Sequence, residues 1–293
     1  MRKKIIIGLT SVALMALIFG MILRKVSIPL PENIQMHDPT AHDMKRGREL
    51  LEKMLIAHGG RSQWKQFKVI EAVAAHNIFA PYRWKFGYYP HYPQQLKMTT
   101  LLGTDNGRFE FLDGPEQGLQ WGLQNWACYK IEPGEEPVFE QDFGVFFYVA
   151  TGNYFLLLPF RVQEANTVAL MGEKEWQGKI YDLVMATWDG FEPKKTIDQY
   201  VLWISRETAR LDYMTFSVRD QGSFVVATIS YMNYRNVEGL LLPFEFRIVF
   251  GDEPDDWPRL HHLHVDSIKL YKTADKQFFF PRPNLSYVKP TKW

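Results

Sequence analysis

A single cysteine, Cys128, holds all the thiol chemistry of the 293 residues, so no intrachain disulfide can form and no CxxC pair exists for metal or redox work. With no activating motif beside it, Cys128 reads as a small buried hydrophobe rather than a nucleophile. Charge imbalance is equally scarce: 34 Lys and Arg stand against 33 Asp and Glu, and no long basic block occurs. Nucleic acid is excluded as a partner on that ground, because phosphate binding needs a clustered cationic surface. GxSxG, HExxH, the P-loop and the dinucleotide fingerprint are all missing, which removes the common enzyme classes and any expected cofactor. The run GDEPDDW gathers Asp252, Glu253, Asp255 and Asp256 but lacks the ligand alternation of a calcium loop, and reads as a charged hairpin tip.

What the chain has in plenty is aromatic residues, at 15%, spread along its length rather than bunched. Such side chains suit a wide, rigid apolar surface. The other abundance lies at the start. Residues 5–23 carry no charge and are bracketed by Arg2, Lys3 and Lys4 before and by Arg24 and Lys25 after. As a helix at ~1.5 Å per residue this run is roughly 28 Å long, enough to span a bilayer. A retained anchor is the preferred reading, because no clean small-x-small site ends the run; a cleaved signal peptide over 1–25 is the alternative. No cysteine closes the run, so the usual lipoprotein anchor is ruled out. The flanking cations place the amino terminus in the cytoplasm and the bulk of the chain outside.

Residues 26–42 hold Pro29, Pro31 and Pro39 with no period, which predicts a linker. From Asp43, the residues Met44, Gly47, Leu51, Met54 and Leu55 form a helical stripe, with Thr40 or Asp43 as N-cap and Gly59 and Gly60 as the stop. His58 is expected to cap the last carbonyls of that helix. Short strands follow: 69–79, then Trp84, Phe86 and Tyr88 alternating with Arg83, Lys85 and Gly87, then 95–100, 109–111 and 119–123. Phe139, Phe143, Phe146, Phe147 and Ala150 break this pattern at i, i+4, i+7, i+8 and i+11, which predicts an aromatic-faced helix. Strands resume at 168–175 and 180–188. Four more lie within 196–251, where Phe244, Phe246, Ile248 and Phe250 share one face, and a last one covers 263–271. Several strands are apolar on both faces, so both sides of the sheet are expected to be covered. About eleven strands and no second compositional unit predict one domain, 43–280, with an irregular proline-rich tail at 281–293.

Four stretches then carry a resemblance: LLEKMLIAHGGRSQWKQFKVIEAV, LLLPFRVQEANTVALMGEKEWQGKIYDLVMATW, YVLWISRETARLDYMTF and VEGLLLPFEF. In this order and spacing they resemble the LolA-like group of exported proteins, which includes the periplasmic lipoprotein carrier, the outer-membrane acceptor and many uncharacterised relatives. The chain is closer to the last of these, and none of the carrier's functional residues is carried onto positions here. The resemblance implies an α+β, mainly β fold: a curved antiparallel sheet forming an incomplete barrel, with helices packed in the concave face; the run 5–23 adds an N-terminal transmembrane helix ahead of it. It also implies an exported domain whose partners are lipid or lipoprotein acyl chains; the uncharged run 5–23 departs from the freely diffusing carrier and places this domain on a single-pass tether in a bacterial cytoplasmic membrane, facing the periplasm or extracytoplasmic space.

The expected function is therefore non-catalytic binding or transfer of a lipid, lipoprotein or other amphiphile in an apolar groove. Trp84, Phe86, Trp121, Phe143, Phe147, Trp203 and Phe246 are the candidate lining residues. No metal is expected. The competing reading is a metal-dependent hydrolase built on His262, His264 and Asp266, which at i, i+2 and i+4 of a strand share one face. A protein-interaction or sensory module is the third.

Overall fold

The structure is a computed structural model that describes residues 26–31, 34, 36–255, 259–286 and 288. The run at 5–23, read above as a membrane helix, lies outside these residues. The described chain opens on helix α1 (Ala41–Ala57) and a short helix α2 (Gly60–Trp64). Strands β1 (Val69–Ile78), β2 (Gln94–Leu101), β3 (Gly107–Phe111), β4 (Gln120–Gln124), β5 (Ala127–Ile131) and β6 (Val138–Phe139) follow. Helix α3 (Phe143–Leu156) and the turn α4 (Leu158–Arg161) come next. The second half holds β7 (Thr167–Trp176), β8 (Lys179–Thr187), β9 (Gln199–Ser205), β10 (Leu211–Ser217), β11 (Val226–Met232), β12 (Arg235–Val237), β13 (Leu240–Leu242), β14 (Glu245–Phe250) and β15 (Arg259–Tyr271).

Thirteen of these strands form one antiparallel sheet in the order β6-β5-β4-β3-β2-β1-β15-β14-β11-β10-β9-β8-β7, and β12 pairs with β13 as a separate hairpin. The first and last strands meet in the middle, from Val69 opposite Tyr271 to Ile78 opposite His261. The free edges are β6 and β7, and the segment joining them carries α3. The sheet curves around that helix without closing into a barrel: Gly152 approaches Phe109 of β3, while Phe155 meets the Phe216 ring of β10 at 5.0 Å.

Among the described residues fifteen strands exceed the expected eleven: β6, β12 and β13 are only two or three residues long, too short to show a period, and β5 follows β4 with only two residues between them. In the other direction, residues 83–88 are not a strand. Arg83–Phe86 is a helical turn, and its C-terminal Gly87 amide donates to the Arg83 carbonyl at 2.8 Å. The aromatic helix starts four residues later than Phe139, which lies in β6. Asp142 is its N-cap, accepting from the Val145 amide at 3.0 Å and pairing with Lys130 at 2.7 Å.

Both faces of the second half are covered. Along β8 and β9, Val184, Ala186, Leu202 and Ile204 face the main core, while the alternate residues Leu183, Met185, Val201 and Trp203 join a second apolar cluster. That cluster takes in Leu30, with Ile28, Ile34 and Met36 packed on it, so part of 26–42 lies along the outer face of the sheet. Arg219 fixes it further, donating to the Ser27 carbonyl at 2.6 Å.

Helix α1 is started by a reciprocal cap: the Thr40 hydroxyl accepts from the Asp43 amide at 3.2 Å, and the Asp43 carboxylate accepts from the Thr40 amide at 2.9 Å. It stops at Gly59, whose φ of 108° only glycine adopts without strain and where a Cβ would sit 2.4 Å from the Gly239 carbonyl oxygen. His58 is the C-cap, its backbone amide donating to the Met54 carbonyl at 3.1 Å, but its imidazole reaches away from its own helix. Its Nδ1 donates to the Leu241 carbonyl at 2.9 Å and its Nε2 accepts from the Leu211 amide at 3.2 Å, tying the helix end to the sheet and to the small hairpin. Gly47 decides how closely α1 seats on β7. A Cβ there would lie 2.8 Å from the backbone of Ala169, which cannot yield as a flexible side chain would. Gly47→Ala gains ~1 kcal/mol of helix propensity but costs ~1–3 kcal/mol in overpacking. A net loss of up to ~2 kcal/mol in urea unfolding is expected; a stabilised variant would show that the helix has room to move.

Candidate binding cavity

Between α3 and the concave sheet lies a cavity of 540 Å³. One wall is the helix, through Phe146, Phe147, Tyr148, Ala150, Tyr154 and Leu156, while Val145 and Val149 are buried off this wall. The sheet supplies the other wall from both halves, with Leu96, Met98 and Phe109 on one side and Phe216, Ile229, Phe246, Ile248 and Phe250 on the other. This arrangement follows from period: alternate residues of each strand face one side, so β14 sends Phe246, Ile248 and Phe250 into the same space.

Of the seven residues expected to line a groove, Phe86, Phe147 and Phe246 stand on this wall. Phe143 lies at the helix start, stacked on Phe147 at 5.4 Å and edge-on to Tyr88 at 5.5 Å. Trp121 is buried in the core behind the wall, 4.9 Å from Phe111 and 5.5 Å from Tyr89. Trp203 lies on the outer face because β9 alternates, and Trp84 is 84% exposed because the strand expected there is a helical turn. Residues not singled out from sequence complete the wall: Tyr154, Trp188 and Tyr200 meet edge to edge with centroids 5.2–6.1 Å apart.

The wall also carries a few polar groups. Arg161 is buried, donating to the Thr104 carbonyl at 2.7 Å and to Asp105 at 3.1 Å. Asp198 accepts from the Ser217 hydroxyl and the Arg219 amide, both at 2.9 Å, and burial pushes its carboxyl up to about 6. The Tyr154 hydroxyl is buried without a hydrogen-bond partner. Across the cavity, His76 of β1 and His261 of β15 face inward, with His76 Nε2 and His261 Nδ1 3.0 Å apart. Burial holds both imidazoles neutral, lowering His261 to about 4 and His76 well below its usual value with help from His261 and His262.

The strip His262, His264 and Asp266 points the other way, into solvent. His262 pairs with Glu245 at 3.1 Å instead of converging with His264, and His264 lies 3.8 Å from Asp266. Among the described residues no group of three or more His, Cys, Asp or Glu is placed to hold a metal ion, so the hydrolase reading loses its centre. Alternation could have found the inward histidine: His261 shares a face with Leu263 and Val265. Cys128 is buried, its thiol pushed up to about 11 mainly by burial, and it donates weakly to the Asp142 carbonyl.

No family model and no curated protein matches the chain. Among solved structures, a putative outer membrane lipoprotein-sorting protein domain from Vibrio parahaemolyticus is 9% identical, with 82% of this chain and 98% of that one covered at a TM-score of 0.53. A DUF1329 family protein from Desulfovibrio piger is 10% identical, with 83% and 98% covered at 0.51. A LolA superfamily protein from Nitrosomonas europaea is 14% identical, with 79% and 96% covered at 0.49.

The buried histidines set a pH dependence. The folded forms of His58 and His261 bind a proton with a pKa of about 4 against 6.5 unfolded, and His76 shifts the same way, so acid drives protons onto the unfolded chain. Asp198 shifts oppositely and offsets about one of them. At ~1.4 kcal/mol per pH unit for each titrating group, about two net groups over two pH units give an expected fall in unfolding stability on the order of 4 kcal/mol between pH 6.5 and about 4.5. Urea midpoints across that range test this; a flat or rising profile would contradict it.

The curved open sheet wrapped around a crossing helix is the fold that this chain shares, over nearly their full length, with the Vibrio parahaemolyticus lipoprotein-sorting domain and the Desulfovibrio piger DUF1329 protein.

Proposed function

We propose that this chain binds a lipid, the acyl chains of a lipoprotein, or another amphiphile without catalysis, in the cavity between α3 and the sheet. The observation that carries the reading is the cavity itself. Its 540 Å³ falls within the ~300–1,000 Å³ typical of ligand pockets, and its walls are chiefly aromatic and aliphatic side chains. Each acyl methylene moved from water to such a wall contributes about 0.8 kcal/mol, so few polar contacts are needed to hold a chain. The shared fold with a lipoprotein-sorting domain supports the same ligand class.

The uncharged run at 5–23 and its flanking cations support a cytoplasmic-membrane tether, with the binding domain in the periplasm or an equivalent extracytoplasmic space. Carriage is then local: a tethered domain collects or passes its ligand within reach of its linker and does not diffuse away. Among the described residues no single helix is long and apolar enough to cross a membrane.

Native mass spectrometry of the gently purified full-length protein is expected to show bound amphiphile. Ala150→Trp, which adds an indole to the helix side of the cavity, is expected to lower amphiphile occupancy at least ~10-fold while the melting temperature stays within a few degrees. Unchanged occupancy in this variant would place the ligand elsewhere, and no amphiphile in either protein would overturn the reading.

A further inference from the structure

Trp84 is the most exposed large apolar residue among the described residues, and it stands in the turn 79–86 that follows β1. A single exposed ring is ordinary, but Phe79, Ala80 and Pro81 of the same turn are exposed as well, which makes an apolar patch. An indole suits the boundary between water and hydrocarbon, where its apolar body and its N–H are both served.

The turn lies at the rim of the cavity. The Phe79 amide donates to the Leu260 carbonyl at 3.0 Å, and the Tyr82 and Phe86 rings lie 5.5 and 5.6 Å from Phe250. Phe86, Phe250 and Leu260 all belong to the cavity wall. Strand β11 begins at this same end of the sheet, since Ala227 opposes Phe250 and the Gly251 amide donates to the Val226 carbonyl at 3.0 Å. The loop before β11 adds Val218, Gln221 and Val225 to the wall. With β15 and β14 between them, β1 and β11 are roughly 15 Å apart at ~4.8 Å per strand.

That loop also holds the start of the described chain. The Ser27 amide and hydroxyl donate to the Ser223 carbonyl at 3.0 and 3.3 Å, and Arg219 donates to the Ser27 carbonyl at 2.6 Å. Ser27 follows Leu23, the last residue of the uncharged run, by four positions, which fully extended backbone spans in at most about 14 Å. A bilayer that holds the run is therefore within reach of this loop, and the Trp84 turn stands at the same end of the sheet.

We propose that this end of the sheet docks on the outer leaflet of the bilayer that holds residues 5–23, with Trp84 and Phe79 in the interface and the cavity rim against the lipid. This rests on the tether and cavity readings above and adds the surface through which the ligand passes. An amphiphile then moves between leaflet and cavity along an apolar path. The contact is apolar rather than electrostatic, because the nearby cations are committed. Arg83 donates to the Ile78 carbonyl and to Asn77, Arg219 to Ser27 and Ser223, and Lys85 lies 5.3 Å over the Phe86 ring. Asp220 is an exposed carboxylate of the loop. The acidic residues after β14 turn away over the outer face, where Glu253 pairs with Lys174 and Asp255 accepts from Gln177 at 2.8 Å.

Fluorescent labels at two exposed positions of the full-length protein supply the test. Lys85→Cys lies in the turn and Glu207→Cys between β9 and β10, at the opposite end of the sheet. Each is labelled with NBD; Cys128 is buried and its thiol is pushed up to about 11, which keeps it out of the reaction. The proteins are reconstituted in phosphatidylcholine vesicles whose acyl chains carry a nitroxide quencher just below the headgroup. The label at 85 is expected to lose at least about half its emission and the label at 207 less than about a tenth, with no change when phosphatidylglycerol is added. Combining Trp84→Ser with Lys85→Cys is expected to restore most of the emission, and unchanged quenching would overturn docking through the turn. Equal loss at both positions, or none at 85, overturns the docking and leaves the amphiphile reading to the occupancy measurement above. An empty cavity beside a quenched label at 85 overturns the amphiphile reading alone.

Discussion

The pairing of β1 with β15 fixes everything else in this molecule. Because the two ends of the domain meet in the middle of the sheet, the two halves grow outward and leave β6 and β7 as opposite edges. The chain between those edges must then cross the open side. Helix α3 lies in that crossing, capped at one end by Asp142 and turned at the other by α4, so both halves of the sheet bear on it. The helix packs directly on β3, β4 and β5 of the first half, and its Phe146, Phe147 and Tyr154 stand off from the Phe246, Ile248 and Phe250 wall of the second half.

That standoff explains why an apolar-walled domain keeps open space. A void of this size, if dry, would cost on the order of 10 kcal/mol at the penalty seen for core truncations, comparable to the whole stability of a typical domain. Large rings from both walls could have closed it, and 15% aromatic content gives ample material. Instead the rings line it. The outer face shows the contrast: there Trp203, Tyr181, Met185 and Leu30 pack together in a closed cluster. The polar groups of the inner wall are few: Arg161 is held on Asp105 and Asp198 on Ser217, while among the described residues the Tyr154 hydroxyl, Arg161 Nε and Gln221 Nε2 are buried without a hydrogen-bond partner.

Much of the architecture was legible because period-2 and period-3.6 patterns are local. The alternation Phe246, Ile248, Phe250 gave the inner face of β14 correctly, and the stripe Phe143, Phe146, Phe147, Ala150 marked the crossing helix. The order of four short segments pointed to the curved LolA-like sheet. Local pattern failed where non-local packing decides. Residues 83–88 alternate like a strand, but a helical turn satisfies Gly87 and Arg83 there. Trp203 is on a two-sided apolar strand, whose parity cannot say which side is concave. The histidine run of β15 was legible as two faces, yet the exposed set, His262 and His264, drew attention because it was regular. Its inward neighbour His261 became significant only when β1 brought His76 beside it. The stretch 26–42 shows no period at all, and only the contact of Ile28, Leu30, Ile34 and Met36 with the outer cluster gives these residues a structural place.

The account stands or falls on whether the space between α3 and the sheet receives an aliphatic chain. A crystal of the protein soaked with a long-chain carboxylic acid brominated at its far end would locate the chain by anomalous scattering. The account predicts a bromine peak within the cavity, between Phe147 or Tyr154 and the inner face of β10 to β14. A peak only on the outer surface, or a helix seated directly on the sheet with no room for the chain, would contradict it.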